Sequence, residues 1–196
     1  MKIEQRKWSN TFELIYSSTN EVNEDAQLLW IFGSKELLND KSHIDYLKSI
    51  YTKAHILGCS TAGEICDTTV SDESLITTAI YFEHTEIKGV KVRLDQVENS
   101  YMAGEFLAKT IDLNGLSHIF LISDGLAVNG TDLVAGLSNN LPENVKITGG
   151  MAGDGTRFRE TFVCWDDYPE NNSIAILGLY GDRIKIGYSS FGGWDT

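Results

Sequence analysis

Apolar positions along the chain fall in short runs. Residues 27–33 form a continuous apolar stretch closed by Gly33-Ser34, as in a strand buried on both faces. Residues 40–53 then carry Ile44, Leu47, Ile50 and Tyr51 at helical spacing, and residues 55–59 form a second apolar strand ending in the corner STAGE. Strand, helix and strand with short connections predict a parallel βαβ unit with a right-handed crossover. Residues 75–82 and 87–94 are the next predicted strands, separated by EHTE, and the second alternates like a half-exposed antiparallel strand. A helix over about 100–113 sets Met102, Ala103, Phe106, Leu107 and Ile111 on one side. Residues 118–123 predict a strand. Residues 131–141 predict a helix with Thr131 as N-cap and Leu133, Val134, Leu137 and Leu141 facing inward. Residues 145–148 lead into the corner GGMAGDG, and short strands at 162–165, 174–180 and 184–189 close the pattern. The first 25 residues are polar and poorly assigned, with a short strand at 11–17 and a loop or helix cap at 18–25.

A 40-residue stretch, 26–65, matches 116–155 without a gap in hydrophobic pattern, though few residues are identical. LLWIF falls on HIFLI, Ser34 on Asp124, and Ala62-Gly63-Glu64 on Ala152-Gly153-Asp154. Such self-similarity marks one supersecondary unit used twice. The expected architecture is a mixed α/β domain over 26–196. It has two pseudo-repeated β-α-β-β-β halves, about 26–94 and 116–191, and layered sheets with outer helices.

Composition narrows the partners. Sixteen basic against 28 acidic residues give a net charge of −12, which disfavours nucleic acid and anionic membrane. No apolar run approaches the roughly 20 residues of a bilayer span. Three cysteines, an odd number, and the absence of a signal peptide at MKIEQRKWSN point to the cytoplasm.

The two glycine-rich corners are the candidate site. Ligands of open α/β sheets gather at the carboxyl ends of strands, and small residues let them approach main-chain N–H groups. The first corner offers Cys59, Ser60, Thr61, Gly63 and Glu64. The second offers Gly150, Ala152, Gly153 and Asp154, and Ser34 and Asp124 stand at neighbouring strand ends. Glu64, Asp124 and Asp154 either converge on a ligand's ammonium group or cap turns. Arg157 and Arg159 either meet a ligand carboxylate or pair with Asp154 and Glu160. Trp30, Trp165 and Phe158 read as core or rim aromatics. No phosphate-loop or dinucleotide fingerprint is present, and no cysteine or histidine spacing suits a metal, so no cofactor is expected. Cys59 is a candidate nucleophile only if a base stands beside it, which no histidine spacing provides.

The strand ending FGS (31–34), GCSTAGEI (58–65), LISDG (121–125), GGMAGDG with Phe158 and Phe162, IAILGLYG and the closing GYSSFGGW together resemble the FIST family, specifically its N-terminal domain. The resemblance implies a sensory domain in signal transduction that binds a small ligand, with amino acids as the suggested class. It also implies a second, C-terminal FIST domain or a signalling protein as partner. The sequence stops at Gly192-Gly193-Trp194-Asp195-Thr196, where the first domain would hand over to the second. Ligand sensing is the leading expectation. A Cys59-dependent hydrolase and a ligand-free docking domain are the alternatives.

Overall fold

The computed structural model describes residues 1–18 and 22–189. The elements are β1 (Lys2–Trp8), β2 (Leu14–Ser17), β3 (Leu28–Gly33), α1 (Lys35–Asn39), α2 (Lys41–Ile50), β4 (His55–Ser60), β5 (Glu64–Cys66), β6 (Thr69–Ser71) and β7 (Leu75–Tyr81). They continue with β8 (Glu86–Arg93), α3 (Ser100–Thr110), β9 (Leu116–Ser123), α4 (Gly130–Ser138), β10 (Lys146–Met151), β11 (Val163–Trp165) and β12 (Ser173–Tyr180). One sheet has the order β11-β4-β3-β7-β1-β2 and the other β10-β9-β12-β8, while β5 and β6 form a separate hairpin.

Side-chain alternation on the strands decides the layers. On β3, Leu29 and Ile31 face outward to Leu37 and Leu38 of α1 and to Ile44 and Leu47 of α2. Leu28, Trp30 and Phe32 face the other way, into a core shared with Phe120 and Ile122 of β9 and Ala175 and Leu177 of β12. The outer face of the second sheet, with Ile119, Leu121, Ile174 and Ile176, is covered by Ala103 and Leu107 of α3 and Leu133 and Leu137 of α4. The layers therefore run helix, sheet, sheet, helix, a mixed α/β arrangement with helices outside. Trp30 and Trp165 are inter-sheet aromatics: Trp30 lies 5.1 Å from the Phe120 ring, and Trp165 fills the space left by the absent side chain of Gly89.

Both sheets contain a parallel pair, β3/β4 or β9/β10, extended by an antiparallel third strand, β7 or β12, and an antiparallel fourth, β1 or β8. The expected β-α-β-β-β division does not describe how strands are shared. β8 leaves the first half and pairs with β12. Residues 184–189, expected as a strand, form none among the described residues; both ladders of β12 are filled by β8 and β9. The gapless match also slips by one residue within the unit. Gly33 stands opposite Ser60, whereas Ser123, 90 residues after Gly33, stands opposite Met151. Thr61 N–H donates to Gly33 O and Ala152 N–H to Ser123 O, so Ala152 is the counterpart of Thr61, not of Ala62.

Several local expectations change for physical reasons. Asn129, not Thr131, caps α4, its side chain accepting from Asp132 N–H at 3.2 Å. The buried stripe of α3 is Ala103, Gly104, Leu107 and Ala108, and Met102 and Phe106 are exposed. Val134 of α4 is exposed too. Close approach of the two helices favours the small residues over the large ones. β1 was hidden because its inward positions include a charged residue. Glu4 is fully buried, accepting from Tyr51 Oη at 2.8 Å and Val22 N–H at 2.6 Å and pairing with Arg6. His55 bonds Asp166 at 2.6 Å and His118 bonds Thr148 Oγ1 at 2.8 Å, both structural roles. The end of the GYSSFGGW motif, the final residues 192–196, and 19–21 of the expected 18–25 loop lie outside the described residues.

Candidate functional site

The parallel strands β3, β4, β9 and β10 bring their carboxyl ends to one end of the sandwich, and the two corners touch there. Gly153 N–H donates to Ser60 O at 2.8 Å. A side chain on Gly153 would meet Ala62 N at 2.9 Å and Thr61 C at 3.1 Å, so only glycine allows the approach. Beside this junction lies a cleft of about 400 Å³. Ser34 and Glu36 from the start of α1 form one wall and Thr61 to Glu64 the floor. Asp72 and Glu73 line the far side, and Gly155 to Arg157 close it.

Of the expected residues, Ser34, Thr61, Gly63 and Glu64 line the cleft. Ser34 is 7% exposed, and its hydroxyl makes no hydrogen bond among the described residues although it precedes α1. Gly63 has φ +148°, a left-handed conformation favouring glycine, and its open side faces Val70 Cγ1 and Asp72 Oδ1 at 3.5 and 3.7 Å. Glu64 is buried and fully engaged: Thr61 Oγ1 donates at 2.7 Å, Ser74 N–H at 3.1 Å and Ser74 Oγ at 2.9 Å. It fixes the corner and the Ser74 loop to each other.

Asp154 stands behind the cleft, 4% exposed. Arg157 Nε donates to it at 2.9 Å, Arg159 N–H at 3.0 Å and Glu160 N–H at 3.2 Å, and Lys35 Nζ lies 3.7 Å away. Burial raises its pKa, but the backbone donors of Arg159 and Glu160, Arg157 and the Lys35 charge outweigh this and hold it below the ordinary aspartate value. Arg157 also reaches Glu36 at 3.0 Å, so the ion-pair reading of Arg157 holds, whereas Arg159 meets Asp154 through its backbone.

The remaining expected residues do not join the cleft. Ser60 is fully buried and its hydroxyl accepts from Phe162 N–H at 3.0 Å, tying β11 to β4. Cys59 and Ala152 pack in the inter-sheet core, and burial pushes the Cys59 thiol up to about 12. Asp124 accepts from Leu126, Ala127 and Asn172 N–H at 2.8, 2.8 and 3.1 Å, which makes it a turn cap. Gly150 lines a different, more apolar groove between β10 and α4. Three carboxylates therefore do not converge on one ligand, because turns and loops consume the oxygens of all three. Phe158 is a rim residue, 75% exposed with φ 50°.

Glu36, Asp72, Glu73 and Thr156 line the cleft without having stood out in the sequence. Their only signal was proximity to the corners, since SDES (71–74) reads as an ordinary polar turn. Among the described residues no helix is long and apolar enough to cross a membrane, and no cluster of histidine, cysteine and carboxylate groups suits a metal.

No curated protein matches the chain. The sequence profile of the FIST N domain matches residues 27–196. That match covers most of the chain, including both corners, so the chain belongs to the FIST family, whose N domain is associated with signal transduction.

Proposed function

We propose that this domain is a cytoplasmic sensor whose cleft binds a small polar metabolite carrying an ammonium group, a class that includes the amino acids. Occupancy would bias a conformational equilibrium read by a C-terminal FIST domain or another signalling protein, which requires different affinity for the two states. The observation that carries the reading is the cleft at the junction of the two corners, lined by Ser34, Thr61 and Gly63, with the Ser34 hydroxyl open to it and without a protein partner among the described residues. A hydroxyl open to the cleft can exchange its water for a ligand's hydrogen bond.

The test is thermal unfolding against a panel of L-amino acids and simple amines. A ligand at 100 times its Kd adds about 2.7 kcal/mol, which raises the midpoint of a domain this size by roughly 5–10 °C. Gly63→Ala places a methyl group on the cleft floor and should weaken binding at least about tenfold, while positive φ lowers stability by roughly 1 kcal/mol. An unchanged affinity in Gly63→Ala would remove the cleft as the site. Gly153 substitutions are unsuited to this purpose, because they would also part the two corners.

The inter-sheet burial of Cys59 and its raised pKa support binding over thiol catalysis. Iodoacetamide at neutral pH should label neither Cys59 nor Cys164 in the folded protein at a measurable rate. Rapid labelling of Cys59 alone would revive the hydrolase reading.

A further inference from the structure

Four steps in the chain join an asparagine or aspartate to a following glycine: Asn114-Gly115, Asp124-Gly125, Asn129-Gly130 and Asp154-Gly155. Such a step is chemically weak. With no side chain on the glycine to block the approach, its main-chain nitrogen can attack the side-chain carbonyl carbon and close a succinimide ring. The fold decides whether this happens, because the side chain must be free to turn and the glycine N–H free of an acceptor.

Three of the steps are held. Asp124 accepts from Leu126 and Ala127 N–H at 2.8 Å and from Asn172 N–H at 3.1 Å, while Gly125 N–H donates to Thr161 Oγ1 at 3.0 Å. Asp154 accepts from Arg157 Nε and from the Arg159 and Glu160 N–H groups. Both are buried, and an ionised carboxylate is a poorer electrophile than an amide. Asn129 is exposed but caps α4. Its Oδ1 accepts from Asp132 N–H at 3.2 Å, its own N–H donates to Ser100 Oγ at 2.9 Å, and its ψ is 105°.

Asn114-Gly115 differs in each respect. It lies in the turn between α3 and β9, and both residues are exposed. Neither the Asn114 carboxamide nor Gly115 N–H makes a hydrogen bond among the described residues. A β-carbon built on Gly115 would meet nothing within 4 Å, so the space beside it is open.

We propose that Asn114 is a site of spontaneous deamidation, selected over Asn129 by the fold. Gly115 N bonds to Asn114 Cγ, and the side-chain nitrogen leaves as ammonia with the proton that Gly115 N gives up. Water then opens the ring at either carbonyl and restores the Gly115 N–H. The product is aspartate or isoaspartate, the latter with its main chain running through the side-chain carbon. The turn is pinned on both sides of this step. Asp112 Oδ1 accepts from Asn114 N–H at 2.9 Å, and Gly115 O accepts from Gly181 N–H at 3.0 Å. Isoaspartate lengthens the chain between those bonds, and either product adds a carboxylate beside Asp112, which already binds Lys88.

Incubation of the full chain at mildly alkaline pH, folded and in concentrated urea, tests this by peptide mapping with fragmentation that separates Asn114 from Asn129. In the folded protein the acid forms should accumulate at Asn114 at least about fivefold faster than at Asn129, the factor that an N-cap of ordinary strength imposes. In urea, which removes the cap, the two asparagines should convert at similar rates. Equal rates in the folded protein would overturn the proposal, as would an Asn114 that converts in urea and stays intact when folded. An isoaspartyl methyltransferase should label the aged wild type far more than aged Asn114→Gln, whose longer side chain closes the ring poorly. Label undiminished in that variant would place the reaction elsewhere and also overturn the assignment.

Discussion

Gly104→Ala and Gly136→Ala are each expected to destabilise the protein by about 3 kcal/mol, against what helix propensity alone dictates. Alanine in a helix interior is better than glycine by roughly 1 kcal/mol. Here packing decides the sign. A β-carbon on Gly104 of α3 would stand 2.3 Å from Leu133 O and 2.7 Å from Leu137 N, and one on Gly136 of α4 would stand 2.1 Å from Tyr101 O. These are backbone atoms of the opposing helix, so no side-chain rotamer relieves the overlap and the helices must move apart. Separation loosens Ala103, Leu107, Leu133 and Leu137, which form the seam over the second sheet. Overpacking of this kind costs roughly 1–3 kcal/mol and occasionally more. The double variant should lose less than the sum of the two, because helices already parted accommodate the second methyl. Gly130→Ala is the control: at the start of α4 its new β-carbon meets only Met151 Sδ, at 3.5 Å, and stability should stay within about 0.5 kcal/mol. Urea denaturation that ranks Gly104→Ala with Gly130→Ala would show that the helices are not in this contact.

The same glycines explain where the sequence misled. Periodicity located α3 and α4 and grouped the buried Ala103, Leu107, Leu133 and Leu137, yet set Met102, Phe106 and Val134 on the same faces, and the structure leaves these exposed. Hydrophobicity ranks a large apolar residue above glycine, whereas two helices in near-backbone contact require the reverse. Strands buried on both faces, such as β3 and β12, were legible as continuous apolar runs, and the mixed α/β layering followed from them. β1 was not legible, because the buried Glu4 breaks the apolar pattern, and its bonds to Tyr51, Val22 and Arg6 help to make its burial tolerable.

The site was legible in position more than in membership. Glycine spacing at GCSTAGE and GGMAGDG identified the two corners, and they do meet through Gly153 and Ser60. What a sequence does not reveal is which polar side chains the fold itself consumes. Ser60, Glu64, Asp124 and Asp154 are all polar residues at strand ends, and all are occupied by backbone or hydroxyl donors. Asp72 and Glu73 arrive from a loop with no distinguishing motif. They face the cleft only because the β5–β6 hairpin folds back over the corner.

Asp154→Ala should be the most damaging change at the site, lowering stability by about 3 kcal/mol and the midpoint by roughly 6–12 °C. The carboxylate holds Arg159 N–H, Glu160 N–H and Arg157 Nε, and removing it leaves those donors and the Lys35 charge without their common acceptor. Because Gly155 to Arg157 form one wall of the cleft, ligand affinity should fall with stability. Asp154→Asn should do less harm, since its amide oxygen still accepts from the loop, although its NH₂ opposes Arg157. The folded-state pKa of Asp154 lies below its unfolded value, so its contribution is complete above about pH 4 and is lost as pH falls through the folded value. The stability gap between wild type and Asp154→Ala should therefore be constant from pH 7 to about pH 5 and shrink at lower pH. A gap unchanged down to pH 2.5 would mean that the charge on Asp154 does not hold the loop, and that its side chain acts there only by filling space.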